Sequence, residues 1–359
     1  MKKHAILAAT LAACLSHTTA VLATEDHQGP KPDSHAPIAV MGDHVHNKGE
    51  WMLSYRYMHM DMSGSQIGTS SIDPDTIATT IPNRFFGIPG QPPTLRIVPT
   101  EMTMDMHMLG LMYAPSDRVT MMLMLPYIET EMKHITFQGP TGTNRLGTFT
   151  TQGSGIGDLS LSGLIGLFDS GNQSLHATLG LALPTGSNTE SDQGLTPMGM
   201  RPSVRLAYPM HPGSGSYSAI LGLTHLWHRG KLSGGSQWRS LVRLNENSEN
   251  YTYGDEHRLT TWGAWRFADR VSGSLRLEGF RRGNVDGFDT VIIAPSQAAD
   301  PQRQKIERLD FGIGLNLAAS GRLAGHRLTV EWLLPVYQKL AGPQLETDWT
   351  VTLGWQYAF

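Results

Sequence analysis

From Asp348 to the last residue, apolar and polar positions strictly alternate. Trp349, Val351, Leu353, Trp355, Tyr357 and Phe359 share one parity, against Asp348, Thr350, Thr352, Gly354 and Gln356 on the other. Side chains along a strand point alternately to opposite faces, so this is a strand with one greasy and one wet surface. The pattern recurs at 158–168, 174–184, 308–318 and 326–337, and less cleanly at 50–62, 102–114, 118–131, 216–227, 235–245, 258–267 and 271–282. That makes twelve segments, most of them long enough for the roughly 9–11 residues that a tilted membrane crossing takes.

The connections alternate as well. Short turns are predicted at 114–117, 169–173, through Arg229-Gly230-Lys231, 268–270 and 319–325, and the long connections 63–101, 132–157, 185–215, 246–257, 283–307 and 338–346 fall between them. Bacterial outer-membrane barrels place short turns in the periplasm and long loops outside, so the pattern predicts an all-β, up-and-down antiparallel barrel over 49–359 with both ends periplasmic. Segment 201–208 also alternates, but Pro202 and Pro209 interrupt it, and it is expected in an outer loop.

The amino terminus is consistent with export. Lys2 and Lys3 precede an apolar run from Ala5 to Leu15, too short to span a bilayer, and Val21-Leu22-Ala23 offers a signal-peptidase site, so 1–23 is expected to be a signal peptide. The alternative is lipidation at Cys14, within Leu11-Ala12-Ala13-Cys14. Cys14 is the sole cysteine, so a chain cleaved after Ala23 has neither disulfide nor cysteine-based site. After the signal no run of about 18 apolar residues appears. Residues 24–48 are polar, with Pro30, Pro32 and Pro37, and are expected to form a mobile periplasmic leader; so few polar residues are not expected to make a plug domain. A formal net charge of −3 gives no reason to expect a nucleic-acid partner.

Two groups of residues could carry chemistry. The first is methionine and histidine: Met58, Met60 and Met62, then Met102, Met104, Met106 and Met108, with His44 and His46 upstream and His27 and His35 before them. Thioether and imidazole suit copper or silver, so His44, His46, Met58, Met60 and Met62 are candidate ligands. Parity argues against a shared pathway. Trp51, Leu53, Tyr55 and Tyr57 put Met58, Met60 and Met62 toward the lumen, whereas Asp105 and His107, read as lumenal, send Met104, Met106 and Met108 to lipid. Methionine is then a flexible apolar filler. The second group is charged and of lumenal parity: Arg56, Arg239, Arg243, Arg276, Glu278, Arg308, Asp310, Arg327 and Glu331. Arginine is in excess, as suits either a filter for anionic or polar solutes or a set of paired charges filling a narrow interior. Gly153-Ser154-Gly155-Ile156-Gly157 is followed by a strand and not a helix, so it is no phosphate loop and reads as the end of an outer loop. No spacing of Ser, His or acid selects a catalytic set; neither an enzyme nor a cofactor is expected.

Several stretches resemble the proteobacterial outer-membrane transporters grouped with the meta-pathway of phenol degradation proteins. They are Met41-Gly42-Asp43-His44, Lys48-Gly49-Glu50-Trp51-Met52, Gly155-Ile156-Gly157-Asp158-Leu159, Leu183-Pro184-Thr185-Gly186, Tyr253-Gly254-Asp255 and the closing Gly354-Trp355-Gln356-Tyr357-Ala358-Phe359. The resemblance implies a barrel that moves small molecules, aromatic compounds or metal ions among them. Its expected partners are outer-membrane lipid, a small solute and the barrel assembly machinery. The rival is a non-conducting structural or metal-sequestering surface barrel, and a third possibility is a soluble sandwich with all its greasy faces packed on a second sheet.

Overall fold

The structure, a computed structural model, describes residues 31–359; the signal segment, its alternative at Cys14 and residues 24–30 lie outside them. The strands are β1 (Trp51–Gly68), β2 (Ile97–Ser116), β3 (Val119–Phe137), β4 (Arg145–Ile156), β5 (Leu159–Asp169), β6 (Gln173–Leu183), β7 (Ser218–Arg229), β8 (Leu232–Arg243), β9 (Glu256–Ala268), β10 (Val271–Arg282), β11 (Ile306–Ala318) and β12 (His326–Ala358). Apart from β4, each strand pairs antiparallel with the next along the path, and β12 returns to β1, closing the barrel. Eleven strand elements form the closed path, with β4 paired to β3 beside it. β12 covers two crossings: Arg327 to Leu340 pair with β11, and Leu340 to Ala358 pair with β1. Its halves lie side by side, since Arg327 Nη1 donates to Gln356 Oε1 at 2.7 Å and Gln338 Nε2 to the Thr347 carbonyl at 2.9 Å.

β4 corrects the expected loop at 132–157. β3 runs on to Phe137, and β4 descends beside its upper half into β5, which pairs with its lower half. The glycines at 153, 155 and 157 belong to this wall and not to a loop. A Cβ at Gly153 would lie 2.5 Å from the Met210 carbonyl, and one at Gly157 2.9 Å from Pro126 Cγ. These glycines let the segment around Met210 lie directly against the inner wall.

The outward face is apolar along the whole wall, with Leu53, Leu109, Leu179, Leu223, Leu275 and Ile313 all exposed. No second sheet covers it among the described residues, which disposes of the sandwich and leaves a continuous greasy belt of the kind that faces lipid. Both described chain ends lie at the rim of short turns, where Trp51 and Phe359 exchange backbone hydrogen bonds of 2.8 and 2.9 Å.

The long connections fold into a cap at the other rim. Phe85, Tyr208, Tyr251, Val285, Ile292 and Ala299 form its core. Helix α1 (Pro74–Thr80) starts at Asp73, whose side chain accepts the Thr76 N–H, and it buries Ile77 and Ala78 against Phe137. Fully buried Arg96 donates to the carbonyls of Ala78, Gln138, Gly139, Thr141 and Gly142, so it pins the β3–β4 turn. Residues 203–205 pair with 191–193 outside the barrel sheet, where the interrupted alternation had placed them.

Residues 31–48 are not a mobile leader. They thread the lumen from the short-turn rim with most of their side chains buried. Wall side chains satisfy their backbone: Arg56 donates to the Ile38 carbonyl (3.0 Å), Ser233 to Asp33 (2.6 Å), Gln237 to Met41 (3.0 Å), Ser272 to Pro32 (2.8 Å) and Arg327 to Ala36 (2.8 Å). A plug needs a core only when its own residues must bury its polar groups. Here the barrel supplies the partners.

Candidate functional site

Between the cap and the threaded segment lies a cavity of about 530 Å³. One wall is methionine. β1 and β2 place Met58 opposite Met106, Met60 opposite Met104 and Met62 opposite Met102, and all six line the cavity. The methionines at 102–108 therefore point inward, opposite to the expectation from parity. The error came from reading Asp105 and His107 as lumenal because they are polar. They face outward, where Tyr57 Oη donates to Asp105 Oδ1 at 2.5 Å, Tyr55 Oη lies 2.7 Å from His107 Nδ1, and His59 Nδ1 lies 2.8 Å from Asp105. Partnered by tyrosine and histidine above the leucines, these groups form a polar upper margin to the apolar belt.

The facing wall is charged. Arg276 is its hub, with Nε 2.5 Å from Glu331 and Nη1 2.6 Å from Glu278, and Arg258 also reaches Glu278, at 2.8 Å. Removing one partner from such a buried set is costly, because it strands a charge away from water. Arg308 pairs with Asp310 at 2.9 Å and donates to Thr347. Six arginines line the cavity (Arg56, Arg239, Arg258, Arg276, Arg282 and Arg308) against three acids (Glu256, Glu278 and Glu331). Neither Arg239 nor Arg282 has an acidic partner within ion-pair distance among the described residues.

Of the nine charged residues expected in the lumen, Arg56, Arg239, Arg276, Glu278, Arg308 and Glu331 line this cavity. Arg243, Asp310 and Arg327 are committed elsewhere: Arg243 to Ser218 at 3.0 Å, Asp310 to Arg308, and Arg327 to Gln356, Asn316 and the threaded segment. Arg258, Glu256 and Arg282 also line it and were not among the nine; Glu256 and Arg282 are end residues of β9 and β10.

The candidate metal ligands separate into two places. Met58, Met60 and Met62 line the cavity, whereas His44 and His46 lie in the threaded segment with His35 and Asp43, neither of which the metal set included. His44 Nδ1 is 3.1 Å and His35 Nδ1 3.6 Å from the Asp43 carboxylate, and the rings of His44 and His46 are 4.5 Å apart. Burial, with Arg327 adding to it, pulls His35 down to about 3. Burial also acts to lower His44, but the Asp43 carboxylate outweighs it and the histidine is raised.

A family profile described as "MetA-pathway of phenol degradation" matches residues 102–332, well over half of the chain. The chain belongs to this family. Comparison with curated protein sequences gives no match. Among solved structures, the COG4313 outer membrane channel from Pseudomonas putida F1 aligns with a TM-score of 0.56 at 15% identity, over 89% of this chain and 98% of that one. It shows that this family member has the fold of an outer-membrane β-barrel. A FadL homologue from Pseudomonas aeruginosa (TM-score 0.44, 9% identity, 86% and 90% coverage) and the Pseudomonas putida toluene transporter TodX (0.40, 8%, 87% and 90%) are more distant in shape.

Proposed function

We propose that the barrel is a channel for small aromatic anions, phenolate-like or carboxylate-bearing, with its short-turn rim in the periplasm. The observation that carries this reading is the two-sided cavity. Thioethers on one wall make favourable contacts with aromatic rings, and the unpaired guanidiniums of Arg239 and Arg282 on the other suit a carboxylate or phenolate. A cavity of about 530 Å³ falls within the roughly 300–1,000 Å³ of small-molecule sites, so it suits one bound solute better than a wide water column. The family description, with its reference to phenol degradation, agrees with this solute class without naming a solute.

The cap and the threaded segment favour a second reading, a barrel that does not conduct. Planar-bilayer recording on the purified, folded chain separates the two. Stepwise conductance with an anion-selective reversal potential, blocked by benzoate and not by a small alkylammonium ion, is the expected result. Silence from a barrel that shifts on heating in gel electrophoresis, as a folded one does, would overturn the channel and leave the surface-protein reading.

A further inference from the structure

We propose that His35, Asp43 and His44 form a site for one divalent first-row transition-metal ion, with zinc as the reference occupant, built into the segment that threads the lumen. The ligand atoms of these three residues all lie within 4.8 Å of one another, in side chains shielded by the barrel wall. Two imidazole nitrogens and a carboxylate oxygen are a donor set that zinc, copper(II) and nickel(II) accept.

The second observation is that this cluster does not satisfy itself. His35 Nδ1 and His44 Nδ1 are buried and meet the same carboxylate at 3.6 and 3.1 Å, without the geometry of a hydrogen bond to it or to any other described residue. Buried polar nitrogens are normally paired, and two left over on one carboxylate are what a ligand set looks like before its ion is bound. Asp43 Oδ2 meanwhile accepts the Ala36 N–H at 2.8 Å, which orients the carboxylate as outer partners of metal ligands do. His46 stands beside the set, its ring 4.5 Å from that of His44 and its Nδ1 turned to Glu50 at 3.4 Å.

The cationic neighbours are Arg327 and Arg56. Arg327 directs its N–H groups to Ala36, Asn316 and Gln356, and Arg56 directs Nε to Ile38. The anionic neighbour beyond Asp43 is Glu50, 3.4 Å from His46 Nδ1. The His44 side chain is 21% exposed and Asp43 only 7%, so the outer edge of the His44 ring reaches solvent while its Nδ1 is enclosed. The methionine wall is a different case. Its thioethers line an open cavity and offer sulfur alone, so soft monovalent ions rather than zinc would suit it.

The site ties residue 35 to residues 43 and 44, the two limbs of the threaded segment, so an ion there would hold that segment folded on itself. The test is calorimetric titration of Zn²⁺ into the full chain, purified in detergent and stripped with a chelator. One ion per chain is expected, with affinity at least tenfold weaker in His35→Ala and in His44→Ala and unchanged in His134→Ala, a buried histidine elsewhere. X-ray absorption of the loaded protein should show nitrogen and oxygen ligands without sulfur. Heat-modifiability of each variant confirms that the barrel has formed. Absence of binding by the wild-type chain would overturn the proposal. So would binding that survives in the His35→Ala/His44→Ala double variant, or a sulfur-containing shell, which would move the ion to the methionine wall.

Discussion

The carboxylate of Glu331 accepts the backbone N–H of Ala39 at 3.1 Å, joining the wall of the barrel to the segment inside it. Its other oxygen holds Arg276 at 2.5 Å, so one side chain serves both the charged wall and the floor of the cavity. Glu331→Gln should therefore loosen the threaded segment and leave Arg276 short of one counter-charge. A loss on the order of 3 kcal/mol, at the low end for a broken buried pair, is expected in urea unfolding of the folded barrel. Single channels should show larger or more frequent open steps than the wild type.

Arg239 offers the cavity a guanidinium that no acid meets within ion-pair distance among the described residues, Glu256 and Glu278 lying farther off. If it meets the solute's anionic group, Arg239→Gln should weaken block by benzoate by about tenfold or more, the equivalent of one charge-assisted hydrogen bond. The anion-to-cation permeability ratio, read from the reversal potential in a salt gradient, should fall in the same variant. An unchanged ratio would place the selective charge elsewhere.

The pair Met60 and Met104 tests the opposite wall. Replacing both with alanine removes two sulfur contacts of ~0.3–1.5 kcal/mol each, so block by an aromatic acid should weaken by roughly threefold to a hundredfold. Block by an aliphatic acid of the same charge should be little altered. Equal losses for both acids would mean that the methionines only fill space.

His211, in the cap, is 9% exposed, and burial, deepened by Arg205, pulls it down to about 4; Glu190 and Asp289 act in the other direction. It is neutral when folded, while the unfolded segment binds a proton near 6.5. The cap is thus fully stabilised above pH 6.5 and weakens as pH falls toward 4, by on the order of 3 kcal/mol in total. The protection factors of residues 206–216, taken relative to the intrinsic exchange rate at each pH, should fall across that window in the wild type. In His211→Asn that fall should be absent.

The walls of the barrel were legible in the sequence because lipid imposes a simple rule: every second residue must be apolar over the width of the membrane. That rule located Leu53 and Val351 correctly, and reversed Leu109 together with the methionines beside it. It fails at Asp105 and His107, which face outward with Tyr57, His59 and Tyr55 as their partners. Reading polarity as direction there reversed the methionines of β2. The inner segment was illegible for a different reason. Its hydrogen bonds run to Arg56, Ser233, Gln237, Ser272 and Arg327, and no local pattern around Pro32 to Lys48 reveals partners that lie up to nearly 300 residues away.

That dependence on distant partners sets an order of events. The donors that hold residues 32–42 come from β1, β8, β10 and β12, and they converge only once β12 has met β1. Residues made before any strand can therefore complete their hydrogen bonds only after the barrel has closed around them.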